Sequence, residues 1–228
     1  MILFRPTGLR ELELVLGSGL AAWPPRLPDQ PIFYPVLNVD YAAQIARDWN
    51  TKSQLRAGYV TEFEVDDTHA SRFPRKVVGS RQHEELWVPA EALQEFNRHI
   101  VGPSRVVAAY FGEGFVGLVP DRGGLRGKTA REQLSVLAGQ YSYSSQDFHG
   151  EVTHNREAVF LHIAYWRQLA AKETALKVDA VLAARSEELG EAVLIDIAVL
   201  REHIHDGQGH DRVVGDGPAP SRQRPRLD

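Results

Sequence analysis

The sequence predicts an α+β fold with its strands in the first half of the chain and its helices in the second. Three observations carry this. Ala57–Val65 alternates apolar and polar residues with the period of a strand. Residues 151–177 place Val159, Ile163, Trp166 and Ala170 on one helical stripe, flanked by Arg156, Glu157, Arg167 and Gln168. Between them Gly112, Gly114, Gly117, Pro120, Gly123, Gly124 and Gly127 crowd a segment that reads as a boundary. Strands followed by helices, rather than alternating with them, separate α+β from α/β architecture.

The elements follow in order. Residues 2–5 read as a short strand, and Leu9, Leu12, Val15 and Leu16 recur at helical spacing with Gly17 as a stop. Pro24, Pro25, Pro28 and Pro31 remove donors and fix φ, so the stretch around Trp23 and Arg26 must be a stiff loop. A helix over Asp40–Trp49 leads to the strand at 57–65. Asp66-Asp67-Thr68 then reads as turn chemistry. A strand over 84–89 ends on Pro89, a short helix spans Glu91–His99, and Val101–Phe111 is a further strand rich in β-formers. Helices are expected at 129–138, 151–177 and 191–203, and the stretch from Asp206 lacks an apolar period and reads as disordered. Tyr141, Tyr143 and Phe148 stand in the connector, either as a contact surface or as plugs for helix ends. The expected division is 1–118, 119–205 and 206–228.

Composition narrows the function classes. The chain has 228 residues, 43% hydrophobic and 25% charged, which is ordinary for a globular protein. A net charge of −4 argues against a broad nucleic-acid footprint, although a local basic patch is compatible with that total. With no cysteine, disulfides and thiolate metal sites are excluded, which suits a reducing compartment. No apolar run approaches a membrane span or a signal peptide, so a cytoplasmic location and no membrane partner are expected. His149 and His154, or His203, His205 and His210, lack a recognised zinc spacing, and no P-loop spacing surrounds Gly127-Lys128-Thr129, so no metal is expected.

The stretch His83-Glu84-Glu85-Leu86-Trp87-Val88-Pro89 carries the most chemistry. Alternation aims Glu85, Trp87 and Pro89 to one side and Glu84, Leu86 and Val88 to the other, so one carboxylate follows the buried face. Charged residues at a strand edge that discourage aggregation are the plainer reading. The stretch resembles the third motif of the ADP-ribosyltransferase family, in which an E-x-E or Q-x-E pair opens a strand continuing as V-L-I-P. Arg5 in Ile2-Leu3-Phe4-Arg5-Pro6 stands where the family's first motif has its Arg or His. Ile32-Phe33-Tyr34 and Asp40-Tyr41-Ala42-Ala43-Gln44-Ile45-Ala46 match its aromatic strand and alanine-bearing helix. The pattern is mixed. Tyr34-Pro35-Val36 replaces the Ser-Thr-Ser of the arginine-headed branch, the aromatic pair is closer to the histidine-headed branch, and His83 replaces the usual Glu or Gln.

This resemblance, to small bacterial NAD-dependent members, implies a split β-sheet core over about residues 1–115 and a mono-ADP-ribosyltransferase with NAD as substrate. Glu85 is implied as the catalytic carboxylate, with His83 at the position that helps choose the acceptor. Arg5 is implied to hold pyrophosphate or ribose through its planar fork, Phe33 or Tyr34 to stack on nicotinamide, and Trp23 and Arg26 to border the dinucleotide. Cleaving the nicotinamide–ribose bond builds positive charge on the sugar, which a fixed carboxylate stabilises. The acceptor is left open among protein, nucleic acid and small molecule. Three alternatives stand beside it: an ADP-ribosylglycohydrolase resting on Asp66-Asp67-Thr68, a bare NAD glycohydrolase, and a noncatalytic ADP-ribose or partner-binding module.

Overall fold

A computed structural model describes residues 1–172. The expected helix at 191–203, the stretch from Asp206 and the end of the 151–177 segment lie outside the described residues.

Strand β1 (Ile2–Gly8) runs into helix α1 (Leu9–Gly17), which buries Leu9, Leu12 and Val15. The proline-rich loop then leads to the short strand β2 (Ile32–Phe33). Helix α2 (Val39–Asp48) begins where the Asn38 side chain accepts from the amides of Asp40 and Tyr41. Strand β3 (Ala57–Val65) keeps the expected bounds. Asp66-Asp67-Thr68 is turn chemistry as read: Asp66 caps the one-turn helix α3 (Asp67–Ala70) by accepting from the His69 amide at 2.8 Å. The strand expected at 84–89 forms in two pieces, β5 (Glu84–Leu86) after β4 (Arg75–Val77), and β6 (Val88–Pro89). Helix α4 (Leu93–Arg98) and strand β7 (Ile100–Phe111) follow.

The strands are antiparallel. β3 lies between β1 and β7, while β2 pairs with β6 and β4 with β5. Two bridges extend this arrangement across the molecule: Val36 pairs with Phe4 of β1 on one side and with Glu85 of β5 on the other. The pairs Ile32 with Pro89, Phe33 with Val88 and Val36 with Glu85 share one register, so residues 32–36 and 85–89 form a single interrupted ladder.

Register fixes which side each residue serves, because directly paired residues project to the same face and neighbours alternate. Phe4, Val36, Glu85 and Lys76 form one row across four strands. Their face meets α2. A side chain at Gly58 of β3 would overlap the backbone of Ala46, so glycine permits the close approach of helix and sheet. Leu3, Arg5, Phe33 and Phe63 belong to the opposite face, where Trp23 packs on Phe33 and Phe63 with ring centroids 5.4 and 5.0 Å away.

The second half is helical as expected. Helix α5 (Ala130–Tyr143) opens with a capping box of Thr129 and Glu132. The helix expected at 151–177 is interrupted at Asn155, which leaves helical geometry and bonds back to Glu151, and the stretch read as a connector is itself helical: α5 takes in Tyr141 and Tyr143, α6 (Ser145–His154) takes in Phe148, and α7 (Arg156–Lys172) follows. Helix α7 is not amphipathic with one buried stripe. Phe160, Leu161, Ile163 and Ala164 pack into the sheet core, while Val159, Trp166 and Leu169 pack with Leu134, Leu137, Phe148 and Val152 of α5 and α6. The break expected after residue 118 is therefore no break in the core, since one face of α7 completes the sheet's apolar interior. Phe148 is a plug, fully buried, whereas Tyr143 is exposed. No helix among the described residues is long and apolar enough to cross a membrane.

Candidate functional site

Glu85 is 4% exposed. A carboxylate so far from water needs donors, and two are supplied from elements brought together by the sheet register. The Tyr41 hydroxyl, on α2, donates to Oε1 at 3.1 Å, and the Trp87 indole N–H donates to Oε2 at 3.1 Å. These bonds offset part of the cost of desolvation. Alternation correctly pairs Glu85 with Trp87, while the half-buried Glu84 shares the other side with Leu86 and Val88.

An aromatic surround completes this face. His83 stacks on Tyr41 with centroids 4.1 Å apart and planes at 15°. Tyr34 meets Trp87 edge to face at 5.2 Å, and Lys76 Nζ lies 3.7 Å from the centre of the Trp87 ring. Tyr34, His83 and Trp87 are half-buried and Lys76 is exposed, so the rings present surface around a sheltered carboxylate. In sequence Tyr41 is an aromatic residue opening an apolar helix face, a signal that reads equally well as core, so its bond to Glu85 is visible only in the structure.

The remaining implied residues stand on the other side of the sheet. Arg5 is buried, and its Nε and Nη2 donate to Glu11 Oε1 at 3.2 and 3.0 Å, with Nη2 also 3.3 Å from Oε2. Its Nη1 donates to the Tyr34 carbonyl at 3.1 Å, and its guanidinium carbon lies 5.1 Å from the centre of the Phe33 ring. Because Phe4 is in the row of Glu85, the adjacent Arg5 points away from that carboxylate. Arg26 donates to the same Glu11 at 3.3 Å and to Gln30, and burial followed by the neighbouring Arg5 charge lowers its pKa. Arg5, Glu11 and Arg26 thus form a buried charge cluster that ties β1, α1 and the proline-rich loop together.

Phe33 and Trp23 are core residues. Phe33 is fully buried beneath Arg5, so of the pair Phe33 and Tyr34 only Tyr34 presents ring surface. Trp23 borders no open surface. Its backbone exchanges hydrogen bonds with the Asn97 side chain at 3.0 and 2.9 Å, which locks the proline-rich loop onto α4. The resemblance implied dinucleotide contacts for Arg5, Phe33, Trp23 and Arg26; in the structure Phe33 and Trp23 pack in the core and both arginines are engaged with Glu11.

Asp66 is occupied as a helix cap, and Asp67 pairs with the amino group of Met1 at 2.5 Å. Among the described residues no group of three or more His, Cys, Asp or Glu stands where it could hold a metal ion. Comparison with protein-family models, with curated proteins and with solved structures finds no match.

Proposed function

We propose that the protein is an NAD-dependent mono-ADP-ribosyltransferase acting through Glu85. The observation that carries this reading is a buried carboxylate held by Tyr41 and Trp87 beside the half-buried rings of Tyr34, His83 and Trp87. In this reading Tyr34 and Trp87 take the nicotinamide and exclude water from its face. The bond from ribose C1′ to nicotinamide nitrogen breaks with its electron pair leaving on nicotinamide. Glu85 stabilises the cationic sugar, and the acceptor attacks C1′ and releases its proton to solvent. Arg5 contributes from behind, since its bond to the Tyr34 carbonyl fixes the segment that carries Tyr34.

The test is release of nicotinamide from NAD and transfer of labelled ADP-ribose to a cell extract. Glu85→Gln keeps the volume and removes the anion, so turnover should fall about 10²- to 10³-fold in a protein that still melts cooperatively. Undiminished turnover by that variant rejects Glu85. Release without transfer identifies a glycohydrolase, with water as the acceptor.

A second reading is a noncatalytic module for ADP-ribose. It is favoured by the two hydrogen bonds already made by the Glu85 oxygens, which serve structure as well as chemistry. Absence of turnover by the wild-type protein, with ADP-ribose binding retained in calorimetry, selects it.

A further inference from the structure

We infer that the β4–β5 hairpin is a binding surface for single-stranded nucleic acid. Residues 68–83 contain four cations, Arg72, Arg75, Lys76 and Arg81, and no Asp or Glu, in a chain where acidic residues outnumber Lys and Arg by 30 to 26. All four are exposed, and among the described residues none forms an ion pair. The acid bounding the stretch on its N-terminal side, Asp67, is matched by the Met1 amino group. Arg75 and Lys76 stand on β4, which pairs only with β5 among the described strands and so forms the sheet's edge. Arg81 lies in the hairpin turn, closed by the Val78 amide on the His83 carbonyl at 2.8 Å.

Edge protection alone does not explain this pattern. Charge of either sign blunts an edge strand, whereas here every charge has one sign and two of the four lie off the strand. Aromatic surface adjoins the cations. The register Lys76 with Glu85 puts Lys76 on the face of His83, Glu85 and Trp87, and its ammonium rests on the Trp87 ring. Cations flanking half-buried rings suit a chain of phosphates carrying flat bases, whereas an acidic peptide would use only the charges.

The experiment is fluorescence anisotropy of a labelled 20-nucleotide oligo-dT with the full chain, without NAD, at several salt concentrations. Its outcome is therefore separate from that of the NAD reading. Affinity should fall with salt, with a log–log slope of about −3 if all four cations meet phosphates at roughly −0.7 each. Arg75→Ala with Lys76→Ala should weaken binding about tenfold at low salt and reduce the slope by about 1.4. Trp87→Leu should weaken binding at unchanged slope, and Arg122→Ala, in the glycine-rich segment, should change neither. Arg81→Ala, in the turn, repeats the charge test if the double variant melts early. No binding at low salt, or unchanged binding in the folded charge variants, overturns the inference. So does displacement by polyglutamate combined with indifference to Trp87→Leu, which would make the hairpin a surface for acidic protein.

Discussion

Arg5 ties β1 to α1 through Glu11 and to the segment after β2 through the Tyr34 carbonyl. Its fork spans Glu11 and the Tyr34 carbonyl, so lysine, with the same charge but no planar fork, cannot reach both. Arg5→Lys should therefore lower stability by about 1–3 kcal/mol, as expected for losing buried charge-assisted hydrogen bonds. The urea midpoint measures this, and an unchanged midpoint would return Arg5 to a role outside the fold's support. Sequence spacing identified the residue types on this ladder and the partnership of Glu85 with Trp87, because both follow from alternation along one strand. It did not identify which face Arg5 shares, because that depends on the bridges from Phe4 through Val36 to Glu85, between segments far apart in the chain. Tyr41 was hidden for a related reason, since its hydroxyl acquires a role only when α2 lies over the row that contains Glu85.

At the scale of elements, α7 holds the glycine-rich segment through one imidazole. His162 Nε2 accepts from the Leu118 amide at 2.8 Å, so its proton sits on Nδ1 and is donated to Gln133 Oε1 at 3.0 Å. Gln133 in turn donates to the carbonyls of Leu118 and Lys128 at 2.8 and 2.7 Å. Gly117, with φ of +82°, passes so close that a side chain there would overlap the ring. Glycine in this segment thus marks tight packing against α7 as much as a boundary, a distinction that composition does not contain. Burial pushes the pKa of His162 down to about 3 from 6.5. Between those values the unfolded chain takes up the proton and the folded one does not. Stability from this group is therefore complete above about pH 6.5 and is lost as pH falls toward 3, by at most about 5 kcal/mol. Melting temperatures from pH 7.5 to 4.5 should fall steeply for the wild type and less for His162→Gln, in which Gln can still accept from Leu118. Equal slopes would mean that the imidazole is not the acid-sensitive group.

For the whole molecule, the decisive feature is that α7 belongs to two apolar clusters at once. β1, β3, β7 and the early helices α1 and α2 were legible because their periodicities are local, and so was a helix starting near Thr129, whereas β4, three residues without apolar alternation, was not. The sharing of α7 was not, because a helix apolar on several faces shows no single stripe in sequence and is explained only by what surrounds it. The Tyr59 hydroxyl donates to the Leu161 carbonyl at 2.8 Å, and Gln168 donates to the Ala109 carbonyl at 3.1 Å, so polar as well as apolar contacts join α7 to the sheet. Cutting the chain after residue 118 would expose Tyr59 and remove Phe160, Leu161 and Ile163 from the sheet core. At about 1.5–3 kcal/mol for each large apolar side chain, that loss is comparable with the roughly 5–15 kcal/mol that holds a typical domain together. The fragment 1–118 should consequently show no cooperative thermal transition by circular dichroism and should be degraded by dilute protease under conditions where the full chain survives. A cooperative transition in that fragment would mean that the sheet is self-sufficient and that α7 is an attachment to it rather than part of its core.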